Sequence, residues 1–294
     1  MDALAPLRRF DRYQQQRKPL ALLVATIKKN GDDQAGSFAV AVAFYAFFSI
    51  FPLLLVFVTV LGYVLAGDHA LMDSVRSSVL DRFPVIGDSI RHGLKGNGLA
   101  LILGVLLSLW AGSGVTGAMT TALDHVWGIP PQERASFVKK KLRGLLVLLA
   151  VGVLFVIATG ASGAVSGGLG GGAVLYVFGL IVSFLVNVVV FLTAFTFLCS
   201  APPAWRKLLP GAVAAGVVWT ALQYLGGLYI AHIKQSSSAY GTFALVLGIL
   251  AWLHLGAQLT MYCAELNTVL DDRRWPRSLF GEEPARPKVA VGES

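Results

Sequence analysis

Polar side chains inside long hydrophobic runs are the residues of this sequence that could do chemistry. His254, Gln258 and Glu265 are four and seven residues apart, which places them on one face of a helix. Because a polar group is costly to bury in a membrane, such a stripe predicts either a path for a solute or proton, or hydrogen bonds between helices. Glu265 lies near the end of its run, so a third interpretation is an ion pair with a basic residue of a loop.

Other candidate residues lie off this stripe. Asn267 follows Glu265 closely, and Asn187 and Gln223 bring amides into two further apolar runs. Pro52 interrupts the first run, where it removes a backbone donor and predicts a kink. That kink is either a static bend or a hinge in a moving helix.

Hydrolytic chemistry has little support in the sequence. Asp32-Asp33 and Asp271-Asp272 are adjacent acidic pairs, but no set of histidines accompanies them. A metal-dependent nuclease needs several carboxylates or imidazoles that converge on one or two ions. The sequence therefore predicts no catalytic residue, no metal and no cofactor, and we expect that the chain is not an enzyme.

Six apolar runs are long enough to hold these side chains in membrane-spanning helices. The chain has 294 residues, of which 55% are hydrophobic and 14% charged, so it cannot cover a water-facing surface. The runs are continuous rather than alternating, which favours an all-α bundle of about six transmembrane helices over a barrel. They extend over Phe38–Ala66, Gly98–Leu123, Leu142–Val165, Ala173–Cys199, Leu208–Ala231 and Tyr240–Leu270.

The placement of basic residues predicts the topology. Of the 24 lysines and arginines, 18 precede the first run, follow the sixth, or lie between the second and third and the fourth and fifth, and Arg143 at the start of the third run makes 19 on this side. Cytoplasmic loops collect basic residues, so both termini are predicted to be cytoplasmic. The same bias explains a pI of about 9.6 without a nucleic-acid partner.

The sequence divides into a membrane domain and two flanking segments. Residues 1–37 form a basic segment in which Leu20–Asn30 predicts an amphipathic helix on the inner surface, near anionic lipids. Residues 38–270 form the six-helix domain, and its outer loop 67–97 predicts two short amphipathic surface helices. Residues 271–294 predict a disordered cytoplasmic tail. The first apolar run is expected to stay in the chain as a signal-anchor helix.

Small residues predict close helix packing. Ser113 and Gly117, four residues apart in the second run, form a small-xxx-small face on which another helix can approach closely.

Three blocks of sequence resemble the YihY/BrkB family of bacterial inner-membrane proteins. They are Ala43–Pro52, the stretch Trp110–Trp127, and a last block with Tyr240-Gly241-Thr242-Phe243, Trp252-Leu253 and Ala264-Glu265-Leu266-Asn267. The resemblance covers roughly residues 20 to 272 and implies a six-helix plasma-membrane protein. It marks a set of positions as candidates for function: Tyr45, Pro52, Tyr240, Gly241, Glu265 and Asn267.

The resemblance does not imply a settled activity. The family was once labelled ribonuclease BN, and that label conflicts with the scarcity of catalytic groups described above. Two hypotheses remain: a permease for an amphiphilic or lipid-like solute, and a non-transporting scaffold or partner subunit in envelope assembly. The sequence leaves the solute, the coupling ion and the oligomeric state open.

Overall fold

The structure is a computed structural model, and it describes residues 5–65, 98–168, 173–233, 241–273 and 275–278. Within these ranges the chain forms eight α-helices and one short 3-10 turn, without a β-strand. The helices are α1 (Ala5–Gln16), α2 (Lys18–Asp32), α3 (Ala35–Leu65), α4 (Gly98–Val126), α5 (Phe137–Gly168), α6 (Ala173–Leu198), α7 (Trp205–Ile233) and α8 (Gly241–Asp271), and the turn is Pro131–Glu133.

Six long helices, α3 to α8, make up the bundle, and each coincides with one predicted run. They have between 26 and 32 residues, more than the roughly 20 that a bilayer requires. Each helix packs against the next along the chain, and α8 returns to pack against α3, which closes a ring. The α1–α2 hairpin lies outside this ring, where α2 packs against α8 and α3.

The outer surface of the bundle is apolar, as a lipid-facing surface must be. Ile102, Leu149 and Phe178 are each more than half exposed, which is the reverse of a water-soluble protein. Four stretches of the described residues are long and apolar enough to cross a membrane: Ala35–Val56, Ile102–Val126, Val177–Leu198 and Val246–Asp271. The chain is therefore a helical membrane protein.

The described core lies toward one end of the bundle, where α4, α6 and α8 end and α5 and α7 begin. Leu123, Phe195 and Leu208 are almost fully buried there and join α4, α6 and α7. A second cluster of small residues, including Ala39 and Ala122, joins α3, α4 and α8. We call this end the loop end; its connecting loops are residues 127–136 and 199–204.

The structure differs from the prediction for the amphipathic segment Leu20–Asn30. This segment is helical, as predicted, but one of its faces packs against the bundle: Ala21 and Ala25 are fully buried and Lys29 is only 2% exposed. Lys29 is therefore removed from lipid headgroups. The opposite face keeps Leu23 and Ile27 more than half exposed, so contact of that face with lipid stays a prediction.

The first part of the tail lies against the N-terminal helices. Gln14 Nε2 donates a hydrogen bond to the carbonyl oxygen of Arg277 (2.8 Å), and Arg277 forms an ion pair with Asp32 (2.8 Å). Residues 275–278 are thus docked rather than free. The remaining tail, residues 279–294, and the predicted amphipathic loop 67–97 lie outside the described residues, so those two predictions are untested.

Candidate functional site

A buried ionic cluster at the loop end joins α2, α4 and α8. The Lys29 ammonium group donates to Glu265 Oε2 at 2.6 Å and to Asp33 Oδ2 at 2.5 Å. It also donates to the carbonyl oxygen of Val126 at 3.0 Å. Lys29 and Glu265 are almost completely buried, so the pair is shielded from water. The prediction that Glu265 pairs with a basic residue is confirmed, although its partner belongs to a helix and not to a loop.

The third contact of Lys29 caps a helix. Val126 is the last residue of α4, where carbonyl groups lack partners in the helix and carry partial negative charge. An ammonium group at this position satisfies one of these carbonyls and interacts favourably with the helix dipole. Lys29 therefore connects the C-terminal end of α4 to a carboxylate of α8.

Glu265 is only partly satisfied in this cluster. Thr268 Oγ1 donates to the Glu265 carbonyl oxygen (2.8 Å) and lies 3.3 Å from Oε2. The other carboxylate oxygen, Oε1, is buried and has no hydrogen-bond partner among the described residues. Buried polar atoms without a partner are uncommon and mark places where a water, an ion or a proton is expected.

A second polar contact joins α2 to α8 next to the ionic cluster. Gln258 Nε2 donates to Asn30 Oδ1 at 3.0 Å. Gly36 approaches the same amide closely, since a Cβ there would lie 3.4 Å from Gln258 Oε1. His254, the remaining member of the predicted stripe, is half-buried and lies one turn before Gln258 on α8. The stripe thus faces α2 and the start of α3.

Asn267 joins α8 to the start of α7. The backbone N–H of Gly211 donates to Asn267 Oδ1 at 2.6 Å. A Cβ at position 211 would lie 2.6 Å from Asn267 Cγ and would overlap the Cys263 carbonyl oxygen, so only glycine fits there. Asn267 therefore serves a close helix contact in this structure.

Asn187 and Gln223 form a separate contact between α6 and α7. Asn187 Nδ2 donates to Gln223 Oε1 at 3.3 Å and to Thr220 Oγ1 at 3.1 Å. None of the hydrogen bonds of the described residues links this group to the stripe on α8. The predicted polar residues are thus divided between two groups and do not line one continuous path.

Tyr45 and Pro52 both lie on α3. The Tyr45 ring covers Gly114 of α4, where a Cβ would lie 2.6 Å from the ring. Pro52 lies within the uninterrupted helix Ala35–Leu65, and the predicted kink stays a prediction. Tyr240 lies outside the described residues, and Gly241 is the first residue of α8.

Two groups of polar residues at the loop end lie outside the candidate set given above. The first is Lys29 with Asp33; the spacing of Ala21, Ala25 and Lys29, four residues apart, could have shown that Lys29 continues a small, buried face. The second is Asp124, whose partners can be identified only when the fold is known.

Asp124 ties the two connecting loops of the loop end together. Its carboxylate accepts bonds from the backbone N–H and the hydroxyl of Ser200, both at 2.8 Å, and pairs with Lys140 at 3.2 Å. Ser200 Oγ in turn accepts a bond from the Ala135 N–H at 3.0 Å. Asp124, at the end of α4, therefore holds the loops 127–136 and 199–204 next to each other.

An apolar groove lies on the faces of α7 and α8. It has a volume of about 330 Å³ and is lined by Leu225, Gly248, Ala251, Trp252 and Leu255. The lining contains none of the polar residues described above. Its chemistry suits a hydrocarbon chain better than a polar solute.

The cysteines are buried and free, which fits small packing residues. Cys199 lies one residue beyond the apolar stretch Val177–Leu198, and burial raises the pKa of its thiol to about 11. It is therefore a poor nucleophile near neutral pH. Within the described part of the chain, no three His, Cys, Asp or Glu side chains are placed to hold a metal ion together.

The fold and this cluster define a class, a helical membrane protein with a buried ionic contact between a peripheral helix and the bundle. A family model described as "Virulence factor BrkB" matches residues 26–288, so the chain belongs to this family. The resemblance to the YihY/BrkB family is thereby confirmed.

Two relatives extend over most of the chain. The inner membrane protein YhjD of Escherichia coli (strain K12) is 23% identical over 89% of this chain and 85% of its own length. YfkH of Bacillus subtilis (strain 168), whose name describes it as ribonuclease-like, is 23% identical over 79% of this chain and 88% of its own length. No solved structure matches.

Proposed function

We propose that this protein is a permease for an amphiphilic, lipid-like solute in the bacterial inner membrane, closed at the loop end in this conformation. The observation that carries the proposal is the buried contact of Lys29 with Glu265. It connects a peripheral helix, α2, to the last helix of the bundle through two charges shielded from water.

Stability alone is a weak reason for such a contact. Removing two charges from water costs several kcal/mol per ion, and a well-packed apolar pair of similar volume is often at least as stable. Ionisable groups at membrane depth are typical of transport paths and gates. A contact that closes one end of the bundle and can be released is consistent with both observations.

The polar stripe supports a closed conformation. Gln258 and Glu265 bond to α2, and Asn267 bonds to α7, so these groups are occupied at the loop end. Movement of α2 away from α8 would free the first two together. The apolar groove on α7 and α8 supports a solute with a hydrocarbon portion.

The proposal includes a topology of six spans with both termini in the cytoplasm. Its support is the distribution of the 24 basic residues, of which 19 fall at the loop end or in the segments that flank the bundle. The name of the relative YhjD supports an inner-membrane location. In this orientation the ionic cluster lies toward the cytoplasm.

Reconstitution into vesicles tests the permease. The probe is a fluorescent phospholipid in both leaflets, and a membrane-impermeant reductant removes the dye of the outer leaflet. The protein should speed the loss of inner-leaflet dye, and Glu265→Gln should change that rate several-fold. Lys207→Met, which removes an exposed ion pair with Asp271 on the same end, should leave the rate unchanged. A rate equal to that of protein-free vesicles contradicts the proposal.

A static scaffold is the second candidate, because a bundle that moves nothing would also pair its polar residues across helices, as seen for Asn187 with Gln223. Cross-linking in native membranes, followed by purification in mild detergent, should then recover another envelope protein at a constant ratio. Recovery of the chain without such a protein counts against this candidate.

We propose further that the protein is not an enzyme. The support is the sequence, in which the acidic pairs Asp32-Asp33 and Asp271-Asp272 are not accompanied by a set of histidines. Incubation of highly purified protein with RNA and Mg²⁺ or Mn²⁺ should yield no cleavage above that of a mock preparation. Cleavage that Asp124→Asn abolishes would contradict this.

A further inference from the structure

We propose that Glu265 is a proton-binding site whose occupancy controls the attachment of α2 to α8. It rests on the proposed permease in one respect: the proton would be the ion coupled to transport, which the proposed function leaves unidentified. Two carboxylates, Glu265 and Asp33, share the single ammonium group of Lys29, so the fully ionised cluster carries one excess negative charge. Glu265 is fully buried, whereas the Asp33 side chain is 17% exposed, so the charge of Glu265 is the one that water cannot reach.

Several charged groups near the cluster have other partners. On α2, Lys28 donates to the Ser278 carbonyl oxygen and Asp32 pairs with Arg277. In the bundle, Asp124 of α4 pairs with Lys140 of α5, and Asp271 of α8 pairs with Lys207 of α7.

His125 and Tyr262 are titratable rings near the cluster among the described residues. His125, next to Val126, lies with its ring centroid 5.1 Å from that of Phe38 on α3. A ligand bound at the cluster itself would remove the excess charge directly.

A proton is the ligand that the geometry accommodates. Glu265 is fully buried and its Oε1 atom has no partner among the described residues, whereas Oε2 already accepts from Lys29. A proton on Oε1 leaves Oε2 as an acceptor and makes the cluster neutral. A proton adds almost no volume, which distinguishes it from a hydrated cation.

Protonation strengthens the attachment of α2. The docked state buries the Glu265 carboxylate beside a second carboxylate, whereas movement of α2 away from α8 would expose it to water. The docked state therefore binds the proton more tightly than the open state, and by linkage the proton favours docking. With Glu265 neutral, Lys29 pairs with Asp33 alone and the cluster carries no net charge. The buried face of α2 should open less often as pH falls.

Thiol labelling measures this opening without any solute. A cysteine at the buried position Ala25 reports the face against the bundle, and one at Leu23 on the same helix reports the exposed face. The background carries Cys199→Ala and Cys263→Ala. Dividing the labelling rate at position 25 by that at position 23 at each pH removes the change in thiolate fraction. Thr26→Cys serves as a second buried reporter should Ala25→Cys fold poorly.

The proton site makes a specific forecast for this ratio. The ratio should fall as pH falls, by at most about tenfold per pH unit for a single proton. Glu265→Gln, neutral at every pH, should give a low and pH-independent ratio. Asp124→Asn, which alters a carboxylate that is equally buried, should keep the pH dependence of the parent.

Three results would overturn the proposal. They are a pH-independent ratio in the parent, the same pH dependence in Glu265→Gln, and a ratio that follows Na⁺ or K⁺ concentration at fixed pH. Because no solute is present, labelling and lipid movement can fail separately. Lipid movement without pH-dependent labelling rejects the proton site alone, and the reverse result rejects the permease alone.

Discussion

Lys29 is the residue on which most of the site depends, because it serves three partners at once. Its ammonium group holds Glu265, Asp33 and the last carbonyl of α4 within 3.0 Å. Removing one member of a buried ion pair leaves the other charge buried and uncompensated, and this is more costly than removing both.

Lys29→Met should therefore lower the free energy of unfolding by about 3–5 kcal/mol. The double variant Lys29→Met/Glu265→Gln should be more stable than Lys29→Met, since it removes one of the stranded carboxylates. The measurement is thermal unfolding in detergent, followed by tryptophan fluorescence.

Lys207→Met is the matched control for this substitution. Lys207 also pairs with an aspartate at 2.8 Å, but its side chain is 52% exposed, so its loss should cost less than about 1 kcal/mol. Equal melting temperatures for Lys29→Met and Lys207→Met would show that the buried cluster does not hold α2 in place.

Glu265 shows what residue-level reasoning can and cannot supply. Its position in an apolar run makes it a candidate, and an ion pair is predicted from its place near the end of that run. The identity of the partner depends on the docking of α2, which is separated from Glu265 by more than 200 residues of chain. No local pattern contains that information, although the small face of α2 indicates that a helix contact exists.

Close contacts between helices depend on a few glycines, and these are not the ones that spacing alone indicates. The predicted face of Ser113 and Gly117 is only partly used: a Cβ on Gly117 would have no atom of another element within 4 Å. A neighbour leaves no room for a Cβ at Gly114 and Gly211, nor at Gly144, Gly216 and Gly256. A small-xxx-small spacing identifies helices that can approach closely, but which glycine meets the neighbour depends on how the helices are rotated.

Gly211→Ala should separate the start of α7 from α8. The added carbon would overlap the Cys263 carbonyl oxygen and the Asn267 side chain, and a backbone atom cannot move aside cheaply. We expect a loss of about 1–3 kcal/mol, as for overpacked cores.

Gly117→Ala controls for the general effect of alanine in a helix. With space around the new methyl group, it should be neutral or stabilising by up to about 1 kcal/mol. Thermal unfolding of both variants in the same detergent provides the comparison. A Gly211→Ala protein as stable as Gly117→Ala would mean that α7 and α8 do not approach as closely as the structure shows.

The six long helices follow from sequence alone, since each begins and ends within about five residues of its predicted run. Hydropathy determines their existence because the lipid environment requires long apolar segments. The order in which they pack is not predictable from hydropathy. The return of α8 to α3 depends on small residues such as Ala39 and Ala257, whose partners are known only from the fold.

The first described helix, α1, meets the last described residues, 275–278, at the loop end of the molecule. Ser278 Oγ donates to Asp11 Oδ2 at 2.8 Å, and Gln14 donates to the Arg277 carbonyl oxygen. Arg277 is itself almost buried and pairs with Asp32 on α2. The docked tail residues therefore support the hairpin that carries Lys29.

Arg277→Ala should loosen this hairpin. Amide hydrogen exchange in α1 and α2 should become faster, because one charged contact to α2 is lost while the bundle stays intact. Arg134→Ala, which removes a bond to the Ile129 carbonyl oxygen in a different loop, should leave exchange in the hairpin unchanged. Unchanged exchange in Arg277→Ala would mean that the tail only rests on the hairpin.

Orientation in the membrane is the property of the whole molecule that the charge distribution predicts most directly. Five of the 24 basic residues lie in the segments between α3 and α4 and between α7 and α8, and none lies between α5 and α6. Since short basic loops stay in the cytoplasm, the loop end should face the cytoplasm. Green fluorescent protein inserted between residues 199 and 204, or fused after residue 294, should therefore fluoresce.

Alkaline phosphatase inserted between residues 169 and 172 should be active, because this enzyme matures only outside the cytoplasm. An active phosphatase after residue 294 would contradict the proposed topology, since it requires an odd number of spans or the opposite orientation. The opposite orientation would also place the ionic cluster on the other side of the membrane. The direction from which a proton reaches Glu265 therefore follows from the same set of fusions.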